Sequence, residues 1–547
     1  MLKGISSSTY QAVTNSKHFS RNMFKMCQRP ELEKMTKDDL IRKVLNLQSL
    51  CGQLKNKQHE VKSKHSKMMN VSKNSRFAKN SSTRKGLTER LYRYIAIKVA
   101  YLGWDYDGLQ SNPGLDDSIE NILRGALLKT KLVDPSDPVK FSKCGRTDKG
   151  VSSFDQVMTL CVNSKLKSGL NVMPVKTALA ELERVCSPNK NTDDHLANEN
   201  KEKQSDKDNA EEETEEHLLN EYDYATILNR VLPEEIRILG WAPLKSFDFS
   251  ARHDCNYREY RYYFPKGKLN IDLMSTAAQN FCGLNDYRNF CKINVANCKT
   301  FVRRINCFEI LPFDKDSSND SSAHQFYFAK IQGSGFVYHQ VRSMMAILFL
   351  VGLKRENPSI IKTLLDVKDV QGKPSFGLAK ETPLVLFKTS FNENLQWRIA
   401  ADAYAKLMKN FQLKWSELAA RTTMTKALIE SIEQDTDIKV FHTAHEYIAK
   451  GNSNNFCDLS KQIHLESACH AVNSEFLNDN YPIDSKRYKA VLDRPRGKRL
   501  EEHFEHLEKK KQRMSTKKSE DDLKKAQYDL IETLNNIEKN RLASDVV

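Results

Sequence analysis

The chain has 547 residues, of which 39% are hydrophobic and 29% charged, and its formal net charge is +16. That length exceeds one ordinary core and sets an expectation of two or three domains with linkers, while the excess of cations favours a polyanionic partner, nucleic acid being the commonest, without telling RNA from DNA. The 12 cysteines include no CxxC pair, which argues against a zinc ribbon or a disulfide framework and points to free thiols in a reducing compartment.

In chain order, residues 1–30 contain no Asp or Glu and carry spaced Lys and Arg among serines. This is the composition of a mitochondrial transit segment and also of a plain basic tail, the reading taken here. Residues 31–60 read as a short helix in which Leu40, Val44, Leu47, Cys51 and Leu54 recur at coiled-coil spacing. Residues 61–87, rich in Lys, Ser and Asn and without periodicity, read as a basic linker.

Ordered structure is expected over residues 88–391. RYIAIKVAYLGWDYDGLQ opens with a strand whose Ile95, Ile97, Val99 and Tyr101 share a face. Asp117 is the expected N-cap of a helix carrying Ile119, Ile122, Leu123, Ala126 and Leu127. KCGRTDKG then leads into a strand bearing Val157, Thr159 and Cys161, so the domain is mixed α/β, of the α+β class. Residues 187–217 are polar and acidic, too poor in apolar side chains to order themselves, and are read as an insertion within this core. The core resumes at YATILNRVLPEEIRILGWAP and runs through FDFSARHDCNYREYRYYFP, an aromatic and arginine-rich strand. HQFYFAKIQGSGFVYHQVRSMMAILFLVG follows as strand, glycine turn and apolar helix, and KPSFGLAKETPLVLFKTSF closes the core. The longest apolar run, residues 344–353, is far short of the roughly twenty residues a bilayer span needs, so no membrane association is expected. Residues 392–485 read as a helical extension and 486–547 as a charged helical tail.

Three places carry candidate chemistry. The GRTDKG loop is either an ordinary Asp-Gly turn or a device that delivers the Asp148 carboxylate to the rim of a sheet, where it can act as nucleophile or base. Arg342 stands alone in an apolar helix. It lies either on the solvent face or inside, in which case it needs a partner; if that partner is Asp148, the cation would hold the carboxylate ionised. In REYRY, Tyr260 and Tyr262 are read on one strand face with the arginines on the other, Tyr262 as core and Tyr260 as a residue able to stack on a base; Arg252, upstream in FSARH, is a phosphate-binding candidate. Cys282, Cys291, Cys298 and Cys307 lack the short ligand pairs of a structural zinc site and are read as core and surface positions.

Taken together, GRTDKGVSSFDQV, the Tyr101-x-Gly103 turn, SAR followed by REYRY, and GFVYHQVRSMM resemble the tRNA pseudouridine synthase A family. Their flanks are most similar to its eukaryotic branch, which modifies uridines 38 and 39 in the anticodon arm. The resemblance implies a pseudouridine-synthase fold of two similar halves, with mainly antiparallel sheets joined across a basic cleft. It further implies a homodimer, tRNA as partner, and nuclear and cytoplasmic residence, a mitochondrial form being the second reading of the N terminus. By the same resemblance Asp148 is the catalytic aspartate, Arg342 its paired arginine, Arg146 the residue that helps displace the base, and Tyr260 the contact to the target uracil. Bacterial members commonly carry Ala where this chain has Lys149, whose role is open. Uridine isomerisation transfers no electrons and no external group, so neither cofactor nor metal is expected. A noncatalytic RNA-binding protein is the rival reading, and a coiled-coil scaffold built on residues 31–54 a third.

Overall fold

The protein is described by a computed structural model covering residues 90–114, 116–186, 215–296, 298, 300–313, 325–434, 476–478 and 488–514. The expectations for residues 1–87 and for most of the insertion and tail lie outside these residues. The strands are β1 (Leu91–Tyr101), β2 (Ser142–Lys143), β3 (Ser152–Asn163), β4 (Val172–Pro174), β5 (Ile236–Pro243), β6 (Cys255–Pro265), β7 (Gly283–Asp286), β8 (Val302–Pro312), β9 (Phe326–Gly333), β10 (Leu378–Ala379), β11 (Leu384–Phe391) and β12 (Leu477–Asn478). The helices are α1 (Ile119–Lys129), α2 (Val175–Cys186), α3 (Glu215–Leu219), α4 (Tyr224–Asn229), α5 (Ile271–Ala278), α6 (Gln340–Gly352), α7 (Ile360–Leu365) and α8 (Ala401–Gln434).

A single 10-stranded sheet runs in the order β4-β1-β3-β11-β6-β9-β8-β7, with β5 paired to β1 and β2 to β3. Its pairings are antiparallel except at the centre, where β3 and β11 run parallel through Ser152–Val385 and Ser153–Leu386. This is the mixed α+β architecture expected, with β4-β1-β3 on one side of the junction and β6-β9-β8-β7 on the other. Leu386 sits at the hinge of the arrangement, since it aligns with Ser153 on one side and with Tyr260 on the other. Ser153 Oγ donates to the Leu386 carbonyl at 3.2 Å. Adjacent strands stand about 4.8 Å apart, so the chain just after GRTDKG and the Tyr260 strand are neighbours but one.

β1 is buried on both faces. Tyr94, on the side opposite Ile95 and Ile97, stacks on Phe247 at 4.7 Å, and Arg93 is fully enclosed with Glu221 at 3.3 Å. The alternation in the sequence marked only one of these faces. Helix α1 turns Ile119, Leu123, Ala126 and Leu127 inward as its spacing predicts, but its N-cap is Ser118, not Asp117. The Ser118 hydroxyl accepts from the Asn121 amide at 3.3 Å, satisfying a donor at the helix start.

β6 also differs from its expected pattern. Strand side chains alternate with period two, so Arg258 falls on the face of Tyr260 and Tyr262 rather than with Arg261. Tyr262 is fully buried, as a core residue should be. Arg258 is 9% exposed and donates to the backbone carbonyls of Cys144, Cys255 and Arg252. Arg261, on the other face, pairs with Glu259 at 2.9 Å and lies 3.3 Å over the Phe387 ring.

The apolar helix α6 is buried along nearly its whole length. Beyond β11 the chain forms the long, largely exposed α8, then returns: β12 pairs with β10, and residues near Pro495 pair with the 373–375 backbone. Cys144, Cys161, Cys255, Cys282, Cys291, Cys298 and Cys307 are free thiols. Among those residues no helix is long and apolar enough to cross a membrane.

Candidate active site

The GRTDKG loop is held from beneath by its neighbour, the loop after β1. Tyr101, fully buried, places its hydroxyl 2.7 Å from Thr147 Oγ1. The Leu109 amide donates to the Thr147 carbonyl and the Gly150 amide to the Tyr106 carbonyl, both at 3.1 Å. Gly103 permits this approach, because a Cβ there would lie 2.0 Å from the Val151 carbonyl oxygen. Gly150, at φ +79, takes a left-handed conformation that favours glycine and ends the turn before β3. The loop is therefore a fixed platform rather than a solvated turn, and Asp148 projects from it with 23% of its side chain exposed.

Around Asp148 the structure gathers groups from both sides of the sheet. His339, the residue before α6, adopts φ +64 and brings Nε2 to 3.7 Å from Asp148 Oδ2. Arg342 follows one turn later with 13% of its side chain exposed. The expected direct pair with Asp148 is absent from the described ion pairs. Arg342 instead donates from Nε to the Ala379 carbonyl at 2.7 Å and from Nη2 to Glu381 Oε2 at 2.8 Å. It stays close enough to act on Asp148 through its field. Burial pushes the Asp148 carboxyl up to about 6 against the pull of Arg342, with the Glu381 carboxylate adding to the rise. Burial thus opposes Arg342 at this carboxyl, while the cation still favours its ionised form.

Tyr260 is 7% exposed and meets Phe336 edge-on, with ring centroids 5.0 Å apart. Its hydroxyl lies 3.8 Å from where a Cβ on Gly145 would stand, so it reaches the foot of the GRTDKG loop. Burial, then Cys144 and Asp148, push the phenol upward and keep it protonated. Burial, helped by Arg342, Lys292 and Lys373, lowers His339 to about 4, so its imidazole is neutral near pH 7. Lys373 is itself lowered to about 8 by burial, with Nζ 3.2 Å from Ser343 Oγ at the start of α6.

Arg146 and Arg252 are exposed and close enough for the second to depress the first, after burial. Neither forms an ion pair among the described residues. Two unneutralised guanidinium groups side by side make a rim suited to phosphate. Arg258 organises that rim from below: its donors hold the Cys144 carbonyl, two residues before Arg146, and the carbonyl of Arg252 itself. Lys149 turns away from Asp148 and pairs with Asp107 at 2.7 Å, its side chain 77% exposed.

The sequence reading missed His339, Glu381 and the supporting Arg258. His339 lies within the quoted GFVYHQVRSMM, and a count of strand parity would have moved Arg258 to the tyrosine face. Nothing in the sequence marks Glu381.

A family model described as tRNA pseudouridine synthase matches residues 277–392, a stretch that includes His339, Arg342 and Glu381 but not the GRTDKG loop. The tRNA pseudouridine(38/39) synthase of Bos taurus is 30% identical over 86% of this chain and 89% of its own length. Proteins of the same name from Mus musculus and Saccharomyces cerevisiae are 33% and 32% identical, covering 76% and 77% of this chain and 76% and 82% of their own.

Proposed function

This chain belongs to the tRNA pseudouridine synthase family, and from that premise we propose that it isomerises uridine to pseudouridine at positions 38 and 39 of the tRNA anticodon arm, with Asp148 as the catalytic carboxylate. The position assignment is supported by the names of the bovine, mouse and yeast relatives. The observation that carries the role of Asp148 is its setting: a carboxylate on a rigid loop, largely enclosed, facing Arg342 and Tyr260, and ionised above about pH 6. A carboxyl with a pKa just below the working pH is mostly charged there yet still basic.

The reaction breaks the N1–C1′ bond, turns the uracil and joins C5 to C1′. Asp148 attacks C1′, so that sugar and base part while the base remains enclosed. Bond formation at C5 then returns the sugar from the carboxylate, loss of the C5 proton restores the ring, and N1, which left as the uracil anion, takes up a proton. The target nucleotide must first leave its stack, because C1′ and the base are out of reach in a stem. Arg146 fills the gap from the rim with Arg252 holding backbone phosphate beside it, and Tyr260 offers its ring and hydroxyl to the detached uracil. No redox partner or group donor enters this balance. The active species is proposed to be a homodimer in nucleus and cytoplasm, as the family resemblance implies.

The deciding experiment maps pseudouridine at single-nucleotide resolution in tRNA from cells lacking the protein, complemented with the wild type or Asp148→Ala. Loss confined to positions 38 and 39, restored by the wild type alone, is the expected result. Modification restored by Asp148→Ala would leave the noncatalytic RNA-binding reading in its place.

A further inference from the structure

The turn before α6 holds an aromatic side chain that the proposed chemistry does not use. Tyr338 is 47% exposed, although it belongs to the wall of the Asp148 site. Its ring packs against that of His339, with centroids 3.9 Å apart and planes tilted by 40°, and His339 Nε2 is in turn 3.7 Å from Asp148 Oδ2. The order outward from the carboxylate is therefore Asp148, His339, Tyr338 and solvent. Leaving so large a ring half open forgoes much of the hydrophobic gain of burying it.

The backbone beneath that ring is fixed. The Lys292 amide donates to the Tyr338 carbonyl and the Gln340 amide to the Val337 carbonyl, both at 3.0 Å. The Gln340 side chain, itself buried, accepts from the Val337 amide at 2.9 Å. The Lys292 ammonium lies 5.7 Å from the centre of the Tyr338 ring; the residue is exposed and forms no ion pair among the described residues. A fixed aromatic ring with an uncommitted cation beside it has the two groups that bind a nucleotide, the ring stacking on the base and the ammonium meeting a phosphate. Because the ring is already ordered, little conformational freedom is lost on contact.

We propose that Tyr338 and Lys292 form a docking position for a nucleotide adjoining the target, Tyr338 stacking on its base and Lys292 holding its phosphate. This rests on the tRNA reading given above, in which the target uracil itself goes to Tyr260. Tyr338 lies outside His339 and so takes a different nucleotide. Stacking accepts any base, because every base has a π face. That tolerance suits a site that acts on two successive uridines, whose neighbours necessarily differ.

The test measures tRNA affinity of the full chain in an Asp148→Ala parent, which binds without turnover, and in that parent with Tyr338→Phe, Tyr338→Ala or Lys292→Ala added. The probe is an unmodified tRNA transcript, intact or abasic at the nucleotide on one or the other side of the target uridine. Tyr338→Phe should bind as the parent does, whereas Tyr338→Ala should lose roughly tenfold in affinity. Removing the base on one side of the target should cost the parent a similar factor and cost Tyr338→Ala nothing further. Packing of Tyr338 against His339 alone does not produce that coupling. Lys292→Ala should lower the dependence of log Kd on log salt by about one. Losses that add at both neighbours, or parental affinity in Tyr338→Ala, overturn the inference. A parallel assay of the wild type separates the two readings: with normal pseudouridine formation those results strike this inference alone. Absence of pseudouridine, or its formation by Asp148→Ala, strikes the proposed function on which the inference rests.

Discussion

His339 Nε2 stands 3.7 Å from Asp148 Oδ2, yet at neutral pH the two do not form an ion pair. Burial, with the nearby cations Arg342, Lys292 and Lys373, holds the imidazole neutral down to about pH 4, whereas the Asp148 carboxyl loses its proton near pH 6. Of these two groups, Asp148 is the one that titrates near neutral pH. The rate of pseudouridine formation should therefore rise through a single ionisation near pH 6 and level off above it. His339→Gln should leave that midpoint in place, as a single-turnover pH profile will show. A midpoint near 4 would mean that Arg342 outweighs burial at Asp148.

The same ionisation has a stability consequence of opposite sense. The folded pKa of Asp148, about 6, lies above its ordinary value of 3.8, so the fold favours the protonated form. That contribution is complete below about pH 4 and is lost as pH rises through 6. Asp148→Asn stays neutral and keeps it. At pH 7.5 the variant should be inactive but more stable than wild type by on the order of 2 kcal/mol, and denaturant titrations near pH 4 should show the difference gone.

Tyr101→Phe isolates the support of the loop from its chemistry. The phenol is buried, 2.7 Å from Thr147 Oγ1, and Thr147 is itself only 6% exposed. Removing one hydroxyl leaves the other without that partner, at a cost of about 1–3 kcal/mol. Since Thr147 directly precedes Asp148, kcat should fall, while tRNA affinity, which the proposed function assigns to the rim, stays near wild type. Equal losses in both would mean that the loop itself binds tRNA.

At that rim, Arg146 and Arg252 are expected to separate by function. Arg252→Ala should weaken tRNA binding and reduce the dependence of log Kd on log salt by about one. On the proposed role of Arg146 in displacing the base, Arg146→Ala should lower the rate of modification more than the affinity. Arg258→Lys, which cannot reproduce the guanidinium's reach to the Cys144, Cys255 and Arg252 carbonyls, should impair both.

What was legible in the sequence follows from how far each relationship reaches along the chain. The loop delivering Asp148 could be read because its glycines, its carboxylate and the strand after it are contiguous. Tyr262 could be assigned to the core by alternation alone. Arg258 was misplaced although its parity with Tyr260 is a local fact, because its partners Cys144 and Arg252 lie in other loops and nothing nearby suggested that an arginine would be buried. Glu381 was invisible: its link to Arg342 joins an irregular segment to a helix, with no periodic pattern to carry the signal. The cap on α1 moved by one residue because Asp117 and Ser118 are both good caps, and only the buried position of Ser118 decides between them.

The segment that holds Arg342 is in turn braced by the returning C-terminal chain. Ala379 aligns with Leu477, the Lys380 amide donates to the Phe476 carbonyl at 3.0 Å, and on the other side of β10 the Ser375 amide donates to the Pro495 carbonyl and the Gly497 amide to the Lys373 carbonyl, both at 2.8 Å. The residues from Lys373 to Glu381 are thus paired at both ends by chain far away in sequence, and they carry the Ala379 carbonyl and Glu381 carboxylate that fix Arg342. Ending the chain after residue 475 removes both braces and should abolish pseudouridine formation along with much of the thermal stability. Gly372→Ala is the milder probe, since its Cβ would meet the Gly497 carbonyl oxygen at 2.5 Å and disturb only the second brace. It should cost about 1–3 kcal/mol while activity survives at low temperature, because β10 still pairs with β12. Calorimetry and single-turnover assays on the two variants separate the possibilities: a truncated chain that keeps wild-type activity would show that Arg342 is held by the catalytic core alone.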